Sequence, residues 1–465
     1  MLITNKKNIF IYVLIAGIFT ELYYIAFLIF SKKDIPLYMF IYLETFLIML
    51  LSFYFVKKIN QDNTNTNDKK AQTNNLFLNY ISKCLKIKNP ENLKLPFVII
   101  LFGLLFRLTL FPALPTTSDD VYRYLWEGKV LATGHNPFTT PPNDSSLTNL
   151  RDEVYSKVTF KDVPAIYPPL SQLAFVLGYA IKKNNVTALK LIYLLCELIT
   201  FIFLLKLLYL KKKNLNYIIL YAWLPLSIME YFINAHLDPI GIMFMMMFIY
   251  FSEKGRYILS SFTFSLAVLS KLYPVILFPL VIKKFGIKKS FIFSLITLIL
   301  VITIYLPFLN WNLTTFSALK NYLSNWEFNG SIYNLLKYFL DNGNLVKIIC
   351  GAAFIISAGI ISYKFKDFTK GAYSIFISLI IFSITLYPWY LGWIAALNPM
   401  FAFYSVTSLL FTSNFTNFTP LAPVWKEYLI VLLIQYIPFF ILFAIDTLRL
   451  RNRRVGTKKI RNVSF

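Results

Sequence analysis

SFIFSLITLILVITIYLPFL, residues Ser290–Leu309, runs for twenty positions without a charged side chain. A helix needs about 20 apolar residues to cross the hydrocarbon core of a bilayer, and this stretch supplies them. Ile9–Phe30, Ile35–Val56 and Leu95–Leu114 repeat the pattern. Lipid offers the backbone no hydrogen-bond partner, so such blocks must bond within themselves, as helices. The alternating ten-residue pattern of a membrane β-barrel is not evident. The expected fold is an all-α integral membrane bundle of about 10–13 transmembrane helices.

Composition agrees. Of 465 residues, 57% are hydrophobic and 15% charged, against about 45–50% and about 25% in soluble domains. A net charge of +24 in a soluble chain would suggest nucleic acid. Here the basic residues flank apolar blocks, where they set orientation and meet anionic lipid, so the bilayer is the expected partner and nucleic acid is not. Cys84, Cys196 and Cys350 have no metal or disulfide spacing and read as small apolar residues. The first apolar stretch is too long for a signal-peptide core and lacks a small-residue cleavage site, so it is expected to remain as a helix.

Four regions follow: an N-terminal hairpin (1–56), a polar, lysine-rich cytoplasmic linker (57–94), a membrane core (95–448) and a basic cytoplasmic tail (449–465). The stretch Asn60–Asn75 has the composition of a flexible linker. After the third apolar block comes a long, slightly acidic segment, about 115–165, expected on the outer side. If every later apolar run crossed the membrane, Lys211, Lys212 and Lys213 would fall outside, against the usual bias. Ile166–Ile181 is therefore read as a segment that dips in without crossing, Pro274–Ile282 as a half-helix and Trp389–Phe411 as a re-entrant pair. Such backbone is tolerated at membrane depth only when protein covers it or it lines a wet cavity.

Under this topology four polar clusters gather on the outer side. The first runs Thr117-Ser118-Asp119-Asp120-Val121-Tyr122-Arg123-Tyr124-Leu125-Trp126-Glu127-Gly128-Lys129. It reads blandly as a surface helix capped by Ser118 with an Asp119–Arg123 pair, or functionally as a carboxylate at the membrane boundary that takes a proton from a hydroxyl. Glu230 and Asn234-Ala235-His236-Leu237-Asp238-Pro239 form the second, and ionisable groups among apolar spans are costly enough to suggest function. Lys271-Leu272-Tyr273-Pro274 is the third, a lysine that either snorkels or meets an anion. Trp326–Tyr333 and Tyr387-Pro388-Trp389-Tyr390-Leu391-Gly392-Trp393 form the fourth, an aromatic belt or a groove. Arg107, inside the third apolar block, calls for a nearby carboxylate.

In order and spacing, these clusters together with Gly134-His135-Asn136-Pro137-Phe138 and Ile166-Tyr167-Pro168-Pro169-Leu170 resemble the GT-C superfamily of polytopic glycosyltransferases over most of the chain after about residue 95, and within it the bacterial mannosyltransferase-like members. The resemblance implies a GT-C-like bundle with re-entrant half-helices and a long first outer loop. It implies a polyprenyl-phosphate sugar as donor, a glycolipid or glycan as acceptor, inversion at the anomeric carbon, and an active site facing the periplasm or exterior of a multi-pass cell-membrane (inner-membrane) protein. By motif position the general base is Asp120, with Asp119 as the adjacent alternative. Arg123, His236 and Lys271 are candidates for the departing phosphate, and Glu230 and Asp238 for sugar hydroxyls. Tyr167, Tyr273, Tyr387, Trp389 and Tyr390 are candidates for the lipid-carrier groove. Some members use a divalent cation (Mg or Mn) and others none; two adjacent aspartates leave that open. The N-terminal hairpin departs from the core pattern and carries no functional expectation. A carrier of lipid-linked sugars would share the helices and basic loops, but should show internal repeats with matching broken helices, and none is evident. A purely structural membrane protein would not need His236, Asp238 and Lys271 beside apolar spans.

Overall fold

The computed structural model describes residues 6–31, 33–59, 76–310, 314–422 and 426–461. The expected flexible stretch Asn60–Asn75 lies outside these residues, as does the end of the basic tail. Among the described residues the chain is helical throughout, with one isolated parallel bridge, Phe328 to Thr385. Seven helices are long and apolar enough to cross a membrane, and three shorter apolar helices, Pro169–Ile181, Tyr257–Ser270 and Phe368–Phe382, accompany them.

Helices α1 (Lys6–Phe30) and α2 (Ile35–Val56) form the N-terminal hairpin, and α1 packs on α4 (Lys94–Thr109), which follows the short α3 (Leu76–Leu85). Asp34 caps α2 by accepting from the Leu37 backbone N–H at 2.9 Å; Asn185, Asn342 and Asp367 cap later spans in the same way. One polar residue at each start satisfies an N–H that lipid could not. The third apolar block was expected to stay helical to Leu114, but α4 ends at Thr109. The carbonyls of Leu110, Phe111 and Ala113 beyond it are taken by the buried Lys190 ammonium at 2.8–3.2 Å, so the freed backbone groups stay bonded.

The outer segment carries α5 (Asp120–Ala132), α6 (Glu153–Lys157) and α7 (Pro169–Ile181). Helices α5 and α7 lie close: a Cβ at Gly128 would sit 2.5 Å from the Phe175 carbonyl oxygen, which only glycine avoids. The start of α7 meets the end of a later span through the Ser171 hydroxyl and the Ser270 carbonyl. Just past its end, Asn184 reaches Asp152 in the outer segment. At 13 residues α7 is shorter than a membrane-crossing helix.

Helix α8 (Val186–Leu210) runs the full depth to Lys211. The chain returns through α9 (Ile219–Ala222) and α10 (Pro225–Phe232), goes down α11 (Asp238–Glu253) and back up α12 (Tyr257–Ser270). Helix α13 (Phe278–Tyr305) is broken at Gly286, φ +74°. Its first part is the expected half-helix, and it carries Lys284 to within 3.6 Å of Glu253, which also holds Lys211 at 2.5 Å. Lys211 reaches Asp367 at 3.0 Å as well. These bonds gather the ends of α8 and α11, the kink in α13 and Asp367, the N-cap of the helix Phe368–Phe382, at one basic end of the molecule.

After α14 (Ser317–Asn325) and α15 (Ile332–Leu340), α16 (Gly343–Lys364) descends and α17 (Phe368–Phe382) rises. The segment from Trp389 to Phe411 is a run of short pieces, including α18 (Gly392–Ala395) and α19 (Tyr404–Thr412). It goes down and comes back, but not as the re-entrant pair expected from the sequence: Met400–Phe403 stand beside Lys57 and Lys212 at the basic end, so the segment runs to the opposite end of the molecule. Broken backbone is permitted there because protein buries it. Helix α20 (Leu429–Arg461) then descends to Arg449 at the same end.

Candidate functional site

The opposite end gathers the chemistry. Asp120 is the first residue of α5, and Asp119 rather than Ser118 is the N-cap; the Asp119 side chain makes no capping bond, while the Ser118 hydroxyl accepts from the Asp120 N–H at 3.3 Å. The Asp119–Arg123 pair that the spacing allows does not form. Asp119 is half exposed and faces Lys33 at 3.8 Å, at the turn of the N-terminal hairpin. Arg123 turns the other way, to Glu127 at 2.6 Å, to the Phe160 carbonyl at 2.9 Å and to that of Val163. Its guanidinium holds the outer loop.

Asn234 fixes the approach to α5. Its side-chain oxygen accepts from the backbone N–H groups of Thr116 and Thr117 at 3.0 and 3.1 Å, and its amide donates to the Thr117 hydroxyl and to Glu230. Beside it Ala235 adopts φ +58°, a left-handed conformation costly for a residue with a Cβ and concentrated at functional sites. That turn aims His236. Its Nδ1 lies 3.8 Å from an Asp120 oxygen and its Nε2 3.4 Å from a Glu230 oxygen. The ring is fully buried, stacked on Trp389 at 3.8 Å and 15°. The ring thus stands between the two carboxylates, Asp120 and Glu230. Glu230 is also buried, and takes a hydrogen bond from the Tyr38 hydroxyl of α2 at 3.0 Å.

A second group stands alongside. Lys271, at the end of α12, donates to Asp238 at 2.7 Å, and the Trp393 indole N–H donates to the same oxygen at 2.8 Å. The other Asp238 oxygen, both His236 ring nitrogens and the Trp389 indole nitrogen are buried and have no hydrogen-bond partner in the protein. Buried polar atoms left in that state cost about 1–3 kcal/mol each, so four on three neighbouring residues mark a place where a ligand would be stabilising. Three tyrosine rings surround the Lys271 ammonium: Tyr390 at 4.3 Å, Tyr273 at 5.4 Å and Tyr167 at 5.9 Å. Tyr387 stacks on Trp389 at 4.5 Å, Phe328 stacks on Tyr387 at 4.4 Å, and the Trp326 indole donates to the Tyr387 hydroxyl. The aromatic residues thus form one continuous wall over the site rather than a scattered belt.

Asp120 is the accessible member of this set, with 39% of its side chain exposed. Protein packed around it still pushes its pKa up to about 6; Lys271 opposes the rise and Asp119 adds to it. A base with a pKa near the working pH accepts a proton well while remaining mostly ionised at neutrality. Among the described residues no group of three His, Cys, Asp or Glu is placed to hold a metal ion.

The twelve residues singled out in the sequence all lie at this end; Arg123, on the same helix as Asp120, turns its guanidinium to the outer loop. Arg107 does not belong to the site: it is bound to Glu197 deep between α4 and α8. The His135 ring, in the turn after α5, meets the Thr133 hydroxyl at 3.3 Å. Sequence reading missed Tyr38, Lys33 and Tyr322, whose hydroxyl meets that of Tyr390 at 2.7 Å. With 31 tyrosines in the chain, nothing marks Tyr38. Lys33 carried a signal, a basic residue in the short turn between two spans on the outer side.

Residues 90–285 match the family described as Alpha-(1->6)-mannopyranosyltransferase, N-terminal domain. The matched stretch holds Asp119, Asp120, Glu230, His236, Asp238 and Lys271, and excludes the N-terminal hairpin and the aromatic wall from Phe328 onward. No curated protein and no solved structure matches the chain.

Proposed function

From a GT-C-type mannosyltransferase match over residues 90–285, we propose that the protein transfers a hexose, mannose, from a polyprenyl-phosphate donor to a lipid or glycan acceptor on the non-cytoplasmic face, with inversion. Asp120 is the general base. It takes the proton of the acceptor hydroxyl as that oxygen attacks the anomeric carbon and the bond from that carbon to the donor's phosphate oxygen breaks. The phosphate leaves on its lipid with its charge met by Lys271, the buried cation nearest the base, and by Lys33, the exposed one at the rim. Fixed cations of this kind stabilise charge that develops in the transition state. The unbonded Asp238 oxygen accepts from a sugar hydroxyl. His236 and Glu230 position Asp120, and the wall of Tyr167, Tyr273, Tyr387, Trp389 and Tyr390 receives the first isoprene units of the carrier.

The observation that carries this reading is the convergence of Asp120, His236 and the Lys271–Asp238 pair, drawn from α5, the α10–α11 turn and α12, at the end opposite the lysine cluster. The test is transfer of labelled mannose from polyprenyl-phosphate-mannose to a panel of lipid and glycan acceptors by the purified protein. Asp120→Asn should lower turnover by about 10²–10⁴-fold, the usual contribution of a positioned base. Equal transfer by wild type and variant would remove the assignment.

A further inference from the structure

At the basic end, far from Asp120, a cleft of about 280 Å³ opens between α2, the α8–α9 connection, the Met400–Phe403 bend and α20. Four cations line it: Lys57, Lys212, Lys213 and Arg449. The one acid, Asp446, is already held by the Ser405 backbone N–H and hydroxyl, each at 2.9 Å, and lies 3.6 Å from Arg449. Lys57, Lys212 and Arg449 set against the one committed carboxylate leave the cleft net positive. Its remaining walls are largely apolar, Phe53, Phe401 and Phe403 among them. On the turns of α2 just above, Leu51 and Tyr54 are half exposed, and Leu450 is exposed beside the cleft.

We propose that this cleft binds the phosphate headgroup of an anionic membrane lipid. Its size admits a phosphate with a small alcohol, and its mixed lining separates the two possible sources of that phosphate. A free phosphate ion gains nothing from phenylalanine walls, whereas a phospholipid places its phosphodiester among the lysines and lays its acyl chains along the exposed apolar turns of α2. Basic pockets between membrane helices act on anionic headgroups in this manner. The site joins four chain segments separated in sequence, so an occupied cleft would clamp the bend at Met400–Phe403, whose other arm carries Trp389 and Trp393 into the sugar site. The inference does not depend on the transferase reading, because it concerns the opposite end of the protein.

The test is lipid retention. Purified protein in nanodiscs is exchanged between phosphatidylcholine and phosphatidylglycerol, and bound lipid is counted by native mass spectrometry after release into detergent. Wild type should retain phosphatidylglycerol in preference to phosphatidylcholine. Lys212→Ala/Lys213→Ala should weaken that retention by about tenfold or more. Lys283→Ala/Lys289→Ala, two charges removed outside the cleft lining, should leave it unchanged. Lys57→Ala, on a different helix, repeats the test if the first pair of changes prevents folding. Equal loss in the two double variants, or none in either, would overturn the proposal in favour of diffuse surface charge. Displacement of the lipid by millimolar inorganic phosphate would overturn it in favour of a free anion.

Discussion

The molecule contains two buried ion pairs of similar composition and opposite character. In the first, Arg107 and Glu197 are both fully buried, and the guanidinium is engaged on every side: it donates to Glu197 at 2.7 and 3.1 Å, to the Gly103 and Ala222 carbonyls at 2.8 Å each and to the Ser227 hydroxyl at 3.0 Å. Tyr221 donates to the remaining Glu197 oxygen. In the second, Lys271 and Asp238 meet at 2.7 Å, but one Asp238 oxygen is left unbonded, and the partners around the lysine are rings rather than acceptors. The first pair is saturated and locks α4 to α8 and the α9–α10 break. The second keeps bonding capacity, with 9% of the Lys271 side chain exposed. Charge among apolar helices marks both places; the unspent hydrogen bonds distinguish the pair proposed to react from the saturated one.

Substitution should separate them. Lys271→Met is expected to cut turnover by about 10²–10³-fold, the scale of one lost transition-state contact, while the protein still folds. Arg107→Met leaves the Glu197 charge buried and unpaired, which should cost about 3–5 kcal/mol of stability and show as a lowered unfolding midpoint in detergent. Pairing it with Glu197→Leu should restore most of that stability, because well-packed apolar replacements of a buried pair are often tolerated. Lys271→Met/Asp238→Leu should recover no activity. Recovery there, or a catalytic loss at Arg107 without a stability loss, would dissolve the distinction. A smaller effect is expected from Tyr38→Phe, which removes one hydrogen bond to buried Glu230: about 1 kcal/mol, read as a shift of the unfolding midpoint, with turnover reduced by less than about tenfold. The smallest belongs to Asp119→Asn, which breaks only the exposed contact with Lys33; pairs of that kind contribute about 0–1 kcal/mol, so turnover should stay within about fivefold of wild type.

How far the sequence could be read follows the same physics. Ionisable residues among apolar runs announced Glu230, His236 and Asp238, because a charge in lipid is too costly to be incidental; Lys271 stood out as a lysine at the end of an apolar run, and Asp120 only by its motif position in the family resemblance. Short apolar runs announced the short α7 and the half-helix before Gly286, because length fixes what can span. The depth of the Trp389–Phe411 segment was not legible, since run length says nothing of how far buried, broken backbone travels. The partner of Arg123 was not legible for a related reason. Asp119 and Glu127 lie four residues before and after it, both at pairing distance on a helix, and only the folded outer loop, with the Phe160 and Val163 carbonyls, decides between them. The burial of His236 depends on Trp389, 153 positions away in the chain, and spacing carries no trace of that contact. The hairpin showed no role in sequence, yet it braces the site from below through Tyr38 and borders it through Lys33.

The central claim is that Asp120 takes the acceptor's proton, and the pH dependence of single-turnover mannosyl transfer tests it most directly. A base must be ionised to act. With its carboxyl raised to about 6, the wild-type rate should be low at pH 5, climb about tenfold between pH 5 and 7, and level off above. Asp120→Asn, with Asp119 intact, should give a slow rate without that climb. A variant that keeps both the wild-type rate and its rise through pH 6 would contradict the account.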